Sequence, residues 1–188
     1  MTSTVITAAF DIETSGLDVK KSDILEIAIV PLNKNYEPDS NIPEFSARIK
    51  AENPEYASAK AMAINKLDLN KGEARKKVSQ DIKQWMQDND VKFIHPLAHN
   101  ISFDLKFFRA NFPELSRIFS GHGRDSMQLA IAINDVSVLK HGAVKFESVS
   151  LSAIMAKLGF NSEVTHQAVS DACDSARVYK KLLDMIHM

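Results

Sequence analysis

Apolar and polar positions divide the chain into β-rich runs near its start and helical stripes toward its end. Val5 to Phe10 is a short β-rich run closing on Asp11, and Ile24 to Pro31 is a second. Between them, Thr14-Ser15-Gly16-Leu17-Asp18 reads as a turn region. Glu44 to Ile49 is a third candidate strand, and three in succession predict an antiparallel meander. Ser79 to Gln87 reads as a helix with Ser79 as its N-cap. Val91 to Ala98 is then a buried strand closed by His99-Asn100, and Phe103 to Ala110 is helical. Ser126 to Ile133 and Ser150 to Leu158 are further helices, the latter stopped by Gly159. The last helix has the clearest signal. Val169, Ala172, Cys173, Ala176, Tyr179, Leu182, Leu183 and Ile186 follow the i, i+3, i+4, i+7 spacing of one apolar face. Strands first, then strand and helix in alternation, predict an α/β domain with a mixed sheet.

The 188 residues contain no internal repeat, linker or low-complexity segment, so one domain is expected over residues 1–188. Hydrophobic residues are 45% and charged residues 25%, the balance of a soluble globular protein. No stretch approaches the ~18 apolar residues of a membrane span. Met1 to Phe10 lacks the pattern of a secretory signal. The single cysteine, Cys173, excludes an internal disulfide, fits a reducing cytoplasm, and lies on the apolar side of its helix as a core residue. A cytoplasmic location is therefore expected.

The candidate chemistry is carboxylate chemistry. Hydrolysing a phosphodiester at neutral pH requires an activated water and something to absorb charge on the phosphate and the leaving oxygen. Two divalent cations about 3.5–4 Å apart do both. Mg²⁺ and Mn²⁺ prefer carboxylates and water, so such a chain should bring Asp and Glu together from separate elements. Asp11 and Glu13 sit at i and i+2, which places both on one face of a strand, at the strand end where α/β sheets hold ligands. Asp104 lies just inside the helix after the buried strand. Asp171 falls in the first turns of the last helix, with His166 on the preceding loop. Singly, each has an ordinary explanation: a solvated loop acid, an acid favoured at a helix start, an exposed histidine.

As an ordered set, Phe10-Asp11-Ile12-Glu13-Thr14-Ser15-Gly16-Leu17, then Asn100-Ile101-Ser102-Phe103-Asp104, then His166 and Asp171, the chain resembles the DEDD superfamily of 3′–5′ exonucleases. Within it the chain resembles the histidine-bearing, DnaQ-like branch, because a histidine stands at 166 where the sister branch has tyrosine in its motif. The resemblance runs from about Val5 to about Leu183. Ile24 to Ala28, Asp125 to Ala130 and Leu151 to Phe160 are similar to further segments of the family. Ala61-Met62-Ala63-Ile64-Asn65 matches a helix–turn segment, although many members carry His-Gly near Ala63.

The resemblance implies an RNase H-like fold, a mixed five-stranded sheet flanked by helices. It also implies two Mg²⁺, replaceable by Mn²⁺, held by Asp11, Glu13, Asp104 and Asp171. Asp11, Glu13 and Asp171 would hold the metal that carries the attacking water. Asp11 would bridge to the second metal, which Asp104 approaches directly or through water. His166 would be the general base, a role imidazole suits near neutral pH. Thr14, Gly16 and Leu17 would contact the terminal nucleotide, Leu17 as a wedge against the last base. Asn100 and Phe103 would position the scissile end, Phe103 by packing on a base or sugar. Read from the residues alone, Leu17 and Phe103 could equally be core.

The formal net charge of −1 argues against coating duplex DNA, and the basic residues are scattered. With four ligand carboxylates neutralised by metal, the remainder carries +3, enough to grip a few phosphates near the site. The expected partner is a nucleic acid 3′ end, single-stranded, with DNA favoured and no membrane. A protein partner or a homodimer is left open. The alternatives are an RNA-trimming exoribonuclease of the same family and a non-catalytic nucleic-acid-binding relative. An RNase H-type endonuclease would not need the spacing from His166 to Asp171.

Overall fold

The first apolar run becomes the central strand β1 (Thr4–Thr14), which continues past Phe10 through both acids. The structure is a computed structural model describing residues 4–160 and 165–186. β1 pairs antiparallel with β2 (Ile24–Leu32), and β2 pairs antiparallel with β3 (Phe45–Arg48), forming the expected meander. On its other side β1 pairs parallel with β4 (Val91–Ala98), which pairs parallel with the two-residue β5 (Arg124–Asp125). The order β3-β2-β1-β4-β5 makes a mixed five-stranded sheet. Six α-helices accompany it among the described residues: α1 (Ala59–Asn65), α2 (Arg75–Asp88), α3 (Ile101–Asn111), α4 (Ser126–His141), α5 (Leu151–Lys157) and α6 (Ala168–Ile186). None of these is long and apolar enough to cross a membrane.

Alternation along β1 sends Ile6, Ala8, Phe10 and Ile12 to one face. There they join Ile27 and Ile29 and pack on Val78, Ile82 and Trp85 of α2 and on Phe107 and Phe108 of α3. The opposite face presents Ala9, Ala28, Val30, Leu32 and Leu97, and meets Ala168, Ala172 and Ala176 of α6. Those three alanines, four residues apart, form one stripe on the helix. These small side chains let α6 lie close against β1 and β2, with Val169, Cys173 and Tyr179 partly buried beside them. Farther along, Val178 and Leu182 of α6 pack with Ala130 of α4 and with Ile154 and Met155 of α5.

Three helix boundaries differ from the sequence pattern. α2 begins at Arg75 after Ala74, and Ser79 is not its cap but a buried residue one turn inside, donating to the Glu114 carboxylate. Its apolar stripe starts only at Val78, so the cationic first turn carries no periodic signal. α3 begins two residues early, at Ile101, because a distant carboxylate, Asp125, caps it. α4 continues beyond Ile133 to His141, where Gly142 takes a φ of 73°. Apolar residues surround α4 on every side, including an 86% exposed Leu139, so no one-sided stripe marks its length. By contrast α5 starts after its cap Ser150 and stops before Gly159, as the pattern indicates.

Candidate active site

Asp11 and Glu13 project from the α6 face of β1, opposite Ala28 and Glu26 of β2. A register shift between Glu13 and Thr14 ends the regular ladder just beyond them. Asp104, buried on the first turn of α3, comes to Asp11 from β1's other flank. Asp171 sits on the first turn of α6, and its carboxylate accepts from the Thr165 backbone N–H at 3.3 Å. Glu13, His166 and Asp171 each bring one ligand-type atom into a cluster in which all lie within 4.8 Å of one another. His166 holds a left-handed φ of 53°, a conformation uncommon outside glycine and asparagine.

The electrostatics record how tightly the acids are gathered. Burial, then the charges of Asp104, Glu13, Asp171 and Glu26, push the Asp11 carboxyl well above its ordinary range. Burial, then Asp171 and Glu26, push Glu13 up to about 7. Asp104 is raised by burial, with Asp125 and Glu13 adding to it, while the backbone amides of Asp104 and Ile12 oppose the shift. Asp171 is raised by burial, against the opposing influence of the Thr165 amide and His166. Four carboxyls that all hold protons too strongly form a site short of positive charge. Carboxylate oxygens beside one imidazole are a donor set that suits a divalent cation.

A cavity of about 240 Å³ opens beside Glu13, lined among others by Thr14, Leu17, Ser58, Lys60, Ile64 and Phe103. Leu17 is 82% exposed and so is not core, while Phe103 is half-buried, packing on the core as well as lining the cavity. Thr14 is buried, and its hydroxyl donates to the Gly16 carbonyl at 2.8 Å, shaping the turn. A Cβ at Gly16 would lie 2.6 Å from the Ser22 hydroxyl, which would have to turn away to admit it. α1 forms the far wall and is pinned to this turn at both ends. The Ser58 N–H donates to the Ser15 carbonyl at 2.7 Å, and Asn65 Nδ2 donates to the Thr14 carbonyl at 3.0 Å. Asn100, at the head of α3, adopts a φ of 69°.

Two carboxylates not among the expected site residues organise those that were. Asp125 accepts from the Asn100 and Ile101 N–H groups, each at 3.1 Å, and also caps α4 through Met127 and Gln128. One side chain thereby satisfies the starts of two helices. Its position before Ser126 is a cap signal for α4, but nothing local points to α3. Glu26 reaches from β2 to the start of α6, where its carboxylate accepts from the Ala168 N–H at 3.1 Å.

Comparison with known proteins agrees with this geometry. The RNase T exonuclease family model matches residues 8–179. The chain is 26% identical over 176 residues to a PolC-type DNA polymerase III from Thermotoga maritima, covering 94% of this chain and 12% of that protein. A PolC-type polymerase from Clostridium perfringens is similar at 26% over 174 residues, covering 91% and 11%. The chain thus spans a small part of these relatives. Among solved structures, exonuclease I from Methylocaldum szegediense superposes with a TM-score of 0.74 at 14% identity, covering 96% of this chain and 41% of that one. E. coli exonuclease I in complex with a dT13 oligonucleotide gives 0.71 at 15%, covering 98% and 44%. The nuclease domain of 3′hExo, a DEDDh family member bound to rAMP, gives 0.62 at 16%, covering 96% and 92%. The sheet and its helices are the RNase H-like arrangement of these exonucleases. The chain belongs to the RNase T exonuclease family.

Proposed function

We propose that this domain releases nucleoside 5′-monophosphates from the 3′ end of single-stranded DNA, with two Mg²⁺ held by Asp11, Glu13, Asp104 and Asp171. The observation that carries this reading is the gathering of Glu13, His166 and Asp171 within 4.8 Å of one another, with Asp11 and Asp104 buried close enough for the acids to raise one another's proton affinity. Divalent cations bound there supply an activated water and neutralise charge on the phosphate and the leaving 3′ oxygen. Everything else falls to the chain. Neutral His166 accepts the proton that the attacking water loses as the phosphorus–oxygen bond to the departing strand breaks. Leu17 and Phe103, which both line the cavity, contact the terminal base, Phe103 stacking with roughly 1–3 kcal/mol and no sequence preference. The Thr14–Gly16 turn holds the Leu17 wedge, Lys60 brings a cation to the same wall, and Asn100 sets the approach to Asp104.

The dT13 complex of exonuclease I supports a single-stranded DNA substrate, and the rAMP complex of 3′hExo supports an RNA alternative. Matched 5′-labelled DNA and RNA oligomers in Mg²⁺ test both. The expected result is a ladder shortening from the 3′ end with 5′-mononucleotide products, faster on DNA. A circular single strand should survive. Cleavage of the circle, or shortening from the 5′ end, would sink the proposal, and faster RNA degradation would move the substrate to RNA.

A further inference from the structure

Glu26 stands in the middle of an otherwise apolar strand, directly across from Glu13 and on the face that α6 covers. Next to it across the sheet is Arg48 of β3, so Glu13, Glu26 and Arg48 form one row over three strands. Both oxygens of Glu26 are committed. Oε2 accepts from the Ala168 N–H, the first amide of α6, and Oε1 lies 3.6 Å from Arg48 Nε. A fifth carboxylate beside the site is costly, because its charge helps to raise the proton affinity of Asp11 and Glu13. Its placement therefore needs an offsetting gain.

We propose that Glu26, oriented by Arg48, is a positioning residue that docks the first turn of α6 on the sheet and thereby sets His166 and Asp171 against Glu13. The contact surface explains the need. Near its start α6 meets the sheet through Ala168 and Ala172 with Val169 and Cys173 partly buried beside them, and such small side chains allow close approach but resist sliding or tilting poorly. A charged acceptor beneath the first free amide of the helix fixes both height and rotation. Ala168 lies two residues after His166 and three before Asp171, so an error at that amide is transmitted to both. Glu26 differs from the proposed ligands in its contacts, since its oxygens face the Ala168 amide and Arg48.

The functional consequence rests on the exonuclease reading above, but the docking itself does not. Glu26→Ala, Glu26→Gln and Arg48→Ala should be compared with wild type in two measurements. The first is amide hydrogen exchange without metal. The Ala168 amide and the first turn of α6 should exchange at least tenfold faster in Glu26→Ala, with β1 and β2 unchanged. The second is steady-state kinetics on a single-stranded oligonucleotide. Glu26→Ala should lower kcat about 10–100-fold, as loss of an orienting contact does, and leave KM within about threefold. Glu26→Gln retains an acceptor for Ala168 and should recover most of both effects, and Arg48→Ala should fall between Gln and wild type. Unchanged exchange in Glu26→Ala overturns the proposal, as does equal loss of kcat in the Ala and Gln variants. If Glu26→Ala fails to fold, Gln and Arg48→Ala still decide it through exchange at Ala168. Should the wild type prove inactive on every oligonucleotide, the exonuclease reading fails while the exchange arm continues to test the docking.

Discussion

The two faces of the central sheet are built from opposite materials. Under α2 and α3 the sheet carries Phe10 in contact with Phe108 and Phe119, their ring centroids 4.6–5.7 Å apart, with Phe112 behind. Under α6 it carries Ala9, Ala28, Val30, Leu32 and Leu97 against the small Ala168, Ala172 and Ala176 of the helix. Large interlocked side chains make the first face the main source of apolar burial. The small side chains of the helix make the second a seam, thin enough to hold α6 within reach of β1. Stability is concentrated on one side of the sheet, while Asp11, Glu13, His166 and Asp171 of the candidate site gather on the other, met by Asp104 from α3. Changes on the two sides should accordingly fail in different ways.

The largest contrast is expected from His166→Ala on the α6 side and Phe108→Ala on the other. His166→Ala should cut turnover about 10²–10⁴-fold, the usual cost of losing a general base, while its melting temperature and its stabilisation by Mn²⁺ persist. If Mn²⁺ stabilisation vanishes along with turnover, His166 is a ligand, which its closeness to Glu13 and Asp171 would then explain. Phe108→Ala should cost about 3–5 kcal/mol in chemical denaturation, yet the folded fraction should turn over at the wild-type rate. A large loss of kcat in fully folded Phe108→Ala would erase the division between the faces.

A smaller effect tests the seam directly. Ala172 is fully buried beside Asp171, and Ala172→Leu inserts three carbons into this close contact. Overpacking should cost about 1–3 kcal/mol and should also lift α6 from β1. Activity should fall by more than the unfolded fraction accounts for. Leucine at Ala130, equally buried but between α4 and the far half of α6, should cost stability with no such excess. Equal behaviour of the two variants would mean that the seam has no special role.

This division also governs how much could be read from the sequence. Asp11 and Glu13 were legible because period-two alternation fixes their shared face, and the α6 stripe because its apolar spacing is regular. The RNase H-like sheet followed from strand order and family resemblance, although β5, two residues long, has no periodicity of its own. Glu26 as a support was not legible. A single acid inside an apolar run says nothing of a partner 142 residues away at the start of α6. Asp125 is half legible, as a cap for α4 but not for α3. The α1 segment was matched by resemblance, but its place as the cavity wall escaped for the same reason, since Ser58 and Asn65 meet the Thr14 turn through hydrogen bonds over long sequence separations.

The smallest expected effect is a slope, and it measures how the acidic side of the seam is balanced. Glu13 has an ordinary value of 4.5 and reaches about 7 in the folded protein, while Asp11, Asp104 and Asp171 shift in the same direction. An acid raised on folding binds more protons in the native state than in the unfolded chain between those two values. Its contribution is fully present below 4.5 and is lost as pH rises through about 7. Metal-free protein should therefore melt at progressively lower temperature from pH 5 to pH 8. Cations bind the deprotonated carboxylates, so their effect should run the other way. Saturation at 100 times the dissociation constant contributes about 2.7 kcal/mol, and the dissociation constant itself should tighten with pH. At fixed millimolar Mn²⁺, the rise in melting temperature should be slight at pH 5 and large at pH 8. Asp171→Ala should flatten both curves, while Phe108→Ala should lower them in parallel without changing either slope. A metal-induced shift independent of pH would mean that the carboxyls do not exchange protons for cations. The gathered acids of β1, α3 and α6 would then need another explanation.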